Sequence, residues 1–147
     1  ALAPALLLLG CPEPPKVNRC IGAIADLEDL YRWDPQRGGE GPGDPFQLLV
    51  AAEPTDSVPS LIQALTNTNP TKIDDGIHPP VLVAEVCFQA LLAIFSMNAK
   101  EFERDGVLIR KSETNPIYAL ILDKPDIRIR LQNRFRRLAV EREWLGQ

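Results

Sequence analysis

The chain has 147 residues, a formal charge of −4 and a pI near 5.0. That is enough for one modest core, and it excludes the broad cationic surface needed to coat nucleic acid indiscriminately. Most of the 14 prolines and 9 glycines precede residue 81, so the N-terminal half should be broken into short pieces.

The opening Leu6-Leu7-Leu8-Leu9-Gly10-Cys11 invites a lipoprotein acylation box. No Lys or Arg precedes it and the apolar run is short, so an apolar arm docking on a neighbouring subunit is the expected role. Cys11, Cys20 and Cys87 make an odd count without a CxxC pair, which points to a reducing environment. From about residue 18 to 33, Ile21, Ile24, Leu27, Leu30 and Tyr31 recur at helical steps opposite Asp26, Glu28 and Asp29, predicting an amphipathic helix. Arg37 to Pro45 follows as a Gly-rich loop without the Lys-Ser/Thr ending of a phosphate-binding fingerprint, and it reads as a linker.

Phe46 to Ala52 is too short for periodicity to choose between helix and strand. Thr55-Asp56-Ser57 offers capping side chains for a helix over about Pro59 to Leu65, with Leu61, Ile62 and Leu65 on one face. The loop from Asn67 to Pro80 holds the single histidine, His78. No second His and no Cys stands at ligand spacing around it, so no metal site is expected. With no paired acidic motif either, no catalytic constellation, cofactor or small-molecule substrate is expected.

The central helix should start after Pro79-Pro80 and run to about Arg104, closing at Asp105-Gly106. Glu85 is its only charge between Val81 and Ala99. Glu85, Gln89 and Asn98 would be costly in lipid, so a core helix is preferred to a membrane span. A short chain cannot easily surround such a helix, and Val83, Val86, Phe88, Leu91, Leu92, Ile94 and Phe95 are the expected contacts between copies in a homo-oligomer.

Val107 to Lys111 is β-prone. Asn115-Pro116 should cap a further short helix containing Ile117, Ala119, Leu120 and Ile121, interrupted by Pro125. In the last helix Ile127, Leu131, Phe135, Leu138 and Leu145 form an apolar face. Arg128, Arg130, Arg134, Arg136, Arg137 and Arg142 stand against Asp126, Glu141 and Glu143, a net of +3. Arg128, Arg130, Arg134, Arg136 and Arg137 are candidates for contact with nucleic acid or an acidic partner. The competing reading is a solvated face with ion pairs such as Arg137 to Glu141.

These elements predict a mainly α protein: a small helical domain with a long central apolar helix, a short extended turn and a basic C-terminal helix, preceded by Pro/Gly-rich arms. Residues 1–60 would be the extended arm with one amphipathic helix, and residues 61–147 a helical oligomerisation domain. Over about residues 82–146, three pieces resemble the C-terminal pattern of phage small terminase subunits. They are Glu103-Arg104-Asp105-Gly106-Val107-Leu108-Ile109, then Asn115-Pro116-Ile117-Tyr118-Ala119-Leu120, then Phe135-Arg136-Arg137-Leu138-Ala139-Val140-Glu141 with Trp144-Leu145-Gly146. The resemblance implies a non-enzymatic, ring-forming subunit that recognises double-stranded DNA and regulates a large terminase, in an infected bacterial cytoplasm or a virion. A head-to-tail connector, or another structural subunit of a virion or complex, is the alternative expectation. A membrane-associated or lipoprotein subunit is a third.

Overall fold

The computed structural model describes residues 14–26, 45–72, 80–109, 120–121 and 124–146. The Leu6 to Cys11 run, Leu27 to Trp33, most of the Gly-rich linker, His78 and the Asn115 to Ala119 segment lie outside them. The described chain is mainly helical, as expected, with one small strand pair.

Helix α1, Pro14–Ile24, starts a turn earlier than Asn18, because its two leading prolines occupy a first turn whose N–H groups have no intrahelical acceptor. Val17, Cys20 and Ile24 face inward. Cys20 is disulfide-bonded, where the cysteine count pointed to a reducing environment. Helix α2, Pro45–Ala51, settles the helix-or-strand ambiguity, with Pro45 leading and Phe46 and Leu49 buried three residues apart.

Helix α3, Pro54–Gln63, begins five residues before Pro59, which sits inside it. Thr55, Asp56 and Ser57 therefore lie in its opening turns and do not cap it. The N-cap is Glu53, whose carbonyl accepts from the buried Ser57 Oγ at 3.3 Å. A 3-10 turn, Ala64–Thr66, follows. The chain then runs antiparallel to the entry of the next helix. Thr71 donates both its N–H and its Oγ1 to the Val81 carbonyl, each at 2.7 Å.

Helix α4, Val83–Phe95, is the buried centre. Its first N–H groups, orphaned in any helix, are taken up by carbonyls of the preceding segment: Val83 donates to Asn69 and Ala84 to Asn67, both at 2.9 Å. Glu85 reaches back to accept from the Leu82 N–H at 3.2 Å, which places this carboxylate at the end of the helix that stabilises negative charge.

The long central helix expected to reach Arg104 ends instead at Phe95. Ser96 turns left-handed at φ 55°, and Met97 N–H returns to the Leu92 carbonyl at 2.9 Å, closing the helix. Asn98 then caps a separate 3-10 helix, Ala99–Asp105. Its side chain accepts from Lys100 N–H at 3.0 Å, and Glu101 accepts from Asn98 N–H at 2.8 Å, a capping box that fixes a new start. The two pieces bend by 118°. Gly106 ends the second at φ 98°, as its sequence position implied.

Strand β1, Leu108–Ile109, pairs antiparallel with β2, Leu120–Ile121. Leu120 and Ile121 are thus extended and not part of the helix expected after Pro116, and here the chain departs from the terminase-like pattern. Helix α5, Pro125–Glu141, starts on Pro125. It is closed by Glu143 at φ 62° and by Trp144 N–H donating to the Ala139 carbonyl at 2.8 Å.

One apolar core joins α1 and α2 to α3, α4 and α5. A boundary at residue 60 would cut through α3, so the division into an N-terminal arm and a C-terminal domain is corrected to a single unit for the described residues. The expected contacts between copies are corrected too. Val83, Val86, Phe88, Leu91, Leu92 and Phe95 are all at most 5% exposed within one copy, and Ile94 is half-buried against the same core. The bend at Ser96 shortens the helix enough for α1, α2, α3 and the Ala64–Thr66 turn to surround it. No single helix among the described residues is long and apolar enough to cross a membrane.

Candidate functional site: the arginines of helix α5

Helix α5 is fixed by its aromatic seam. Phe135 lies 5.0 Å from Phe102, 5.5 Å from Phe95 and 5.9 Å from Phe88, centroid to centroid. Phe95 also meets Trp144 at 5.0 Å. Offset and edge contacts of this kind add directional preference to apolar burial, so they set the rotation of α5 about its own axis. That rotation decides which arginines face water.

Two of the five candidate arginines face inward. Arg134 lies over the Phe102 ring with its guanidinium carbon 4.2 Å from the centroid. It donates to the Glu101 carbonyl at 2.8 Å and pairs with Asp105. Its donors serve the fold, joining α5 to the 3-10 helix. Arg128 is buried. Neighbouring Gln132 is buried as well, and donates to the Ile62 carbonyl at 3.0 Å, supplying a partner to the end of α3.

The other three face out. Arg130 is exposed and 3.9 Å from Asp126, which is also exposed, a screened pair of small worth. Arg136 is exposed and donates to Asn133 Oδ1 at 3.3 Å. Arg137 is exposed and has no ion pair among the described residues, so the expected Arg137–Glu141 pair does not form. At 100° per residue, Arg130, Asn133 and Arg137 share a face flanked by Arg136, over about 10 Å of helix. The arrangement suits electrostatic contact with a row of anions, Arg being able to grip phosphate or carboxylate with two parallel donors.

Sequence reasoning found the arginines but could not separate them, and it missed the second stripe beside them. Ile129, Asn133, Arg136 and Val140 recur at steps of four, three and four. Ile129 is 52% exposed. The stripe leads into an open groove of about 500 Å³ lined by Thr55, Val140, Glu143, Trp144, Leu145 and Gly146. The period was visible in the sequence; the exposure was not. A second depression, about 430 Å³, is lined by Lys100, Glu101, Glu103, Arg104 and Arg134, where acids and bases are mixed. No cluster of three or more His, Cys, Asp or Glu suited to a metal occurs among the described residues.

No family model, curated protein or solved structure matches the chain.

Proposed function

We propose that the chain is a non-enzymatic helical subunit that contacts double-stranded DNA through Arg130, Arg136 and Arg137 of α5. The observation that carries this reading is their outward placement: these three project from a helix whose remaining candidate arginines, Arg128 and Arg134, are buried or locked in internal contacts. The resemblance to phage small terminase subunits supplies the more specific form of the proposal, a DNA-packaging subunit that assembles as a closed homo-oligomer and acts with a large terminase. In that form the contacts between copies use surfaces other than the apolar side chains of α4, which one copy already buries.

A DNA face of three arginines beside an otherwise acidic chain makes binding strongly salt-dependent. With three phosphates neutralised, the logarithm of affinity should fall with the logarithm of salt at a slope of about −3. Titration of labelled duplex DNA by fluorescence anisotropy at stepped salt concentrations tests the proposal, and a slope indistinguishable from zero would sink it. Native mass spectrometry tests the assembly: a closed multimer is expected, and a monomer at all concentrations counts against the terminase form of the proposal.

A further inference from the structure

The DNA reading leaves the second stripe and its groove unexplained. Ile129 is among the most exposed large apolar side chains of the described chain, and a phosphate backbone offers it nothing to pack against. The groove at the end of the stripe has apolar walls in Val140, Trp144 and Leu145, with Glu143 as its one acid and Thr55 as the facing residue from α3. Trp144 is half-buried, held against Phe95 on one side. A rigid aromatic beside an apolar wall is the kind of anchor around which interface energy concentrates. Between Ile129 and the groove stands Arg136, next to Arg137, both exposed and neither paired with a carboxylate among the described residues.

We propose that the Ile129–Asn133–Arg136–Val140 stripe and the groove together dock an acidic amphipathic segment of a partner protein. Charge complementarity commits the occupant. Unpaired cations select acidic side chains, and an apolar groove continuous with them selects a segment that carries apolar anchors at helical spacing. The partner's carboxylates meet Arg136 and Arg137, and its apolar residues enter the groove past Val140. The surface shares Arg136 and Arg137 with the proposed DNA face but depends on Ile129 and Val140, which DNA contact does not need. The two therefore fail separately.

The test uses the full chain and a short labelled synthetic peptide with Leu and Phe at helical spacing and Asp or Glu between them. A control peptide carries Ser at every Leu and Phe. Anisotropy should show the first bound at least about tenfold more tightly than the second. The uncharged replacements Ile129→Ser and Val140→Ser should each weaken peptide binding by at least about fivefold and leave duplex DNA affinity within about twofold. Equal binding of the two peptides overturns the proposal. So does unchanged peptide affinity in Ile129→Ser, whose side chain is at the surface and whose replacement leaves the core intact.

Discussion

Arg134 on α5 and Asp105 at the end of the 3-10 helix form an ion pair whose side chains are only 12% and 19% exposed. The same guanidinium covers Phe102 and binds the Glu101 carbonyl. A charge held this far from water is costly once its partner is removed. Asp105→Ala and Arg134→Gln should each lower unfolding free energy by about 2 kcal/mol. Because they share one contact, the double variant should lose less than the sum. Urea denaturation of the four proteins in the cycle checks this; strict additivity contradicts it.

Phe135 touches three other phenylalanine rings and is fully buried. Phe135→Ala should cost about 3–5 kcal/mol, combining lost transfer free energy with the cavity left behind. Phe135→Leu should cost clearly less. The measurement is the denaturation midpoint at constant slope, and equal losses for Ala and Leu would contradict the cavity account.

Three helix ends close through a left-handed residue: Ser96 at φ 55°, Gly106 at φ 98° and Glu143 at φ 62°. Only Gly106 has the residue that this conformation favours. Ser96→Gly and Glu143→Gly should each stabilise the fold by about 0.5–1 kcal/mol. Gly106→Ala should destabilise it, since the added Cβ would also stand 3.1 Å from Ile127 Cγ1. Thermal melts of the three variants read all three signs.

Cys87 lies wholly inside α4, and burial pushes its thiol up to about 12 from an ordinary 9.0. At neutral pH it should resist thiol reagents until the chain unfolds. Above the unfolded value the denatured chain gives up this proton while the native one keeps it. The unfolded state then binds fewer protons, and stability should fall as pH rises from about 9 to about 12, by up to about 1.4 kcal/mol per pH unit. Cys87→Ala should flatten that slope, as followed by urea titration at stepped alkaline pH. Rapid labelling of native protein at neutral pH would contradict the burial.

The same helix ends explain how far the sequence could be read. Gly106 announced its turn, and the apolar run from Val81 announced a buried helix. Ser96 and Glu143 carry no such signal, because their left-handed conformations are imposed by tertiary packing and not by local preference. Asn98 and Glu101 stand at capping-box spacing, but the apolar run before them points to one continuous helix. From that one missed break followed the overlong central helix and the expectation that its apolar side chains would need a second copy. Helices also begin at Pro14 and Pro54, ahead of the apolar periodicity that points to starts near residues 18 and 59, because a proline's missing N–H is no loss in a first turn. In the candidate site, residue type picked out the arginines, but their division into inward and outward sets depends on the rotation of α5. Phe135 and its neighbours set that rotation through contacts remote in sequence.

The central claim is this division of labour on one helix. The most direct test pairs Arg134→Gln with Arg136→Glu/Arg137→Glu, measuring thermal stability and duplex DNA affinity on the same preparations. The account predicts that the first variant melts lower and, while folded, binds DNA as the parent chain does. The second should keep its melting temperature and lose affinity by at least about tenfold, with a shallower salt slope. Undiminished DNA affinity in the second variant, or DNA affinity lost in a folded Arg134→Gln protein, would contradict it.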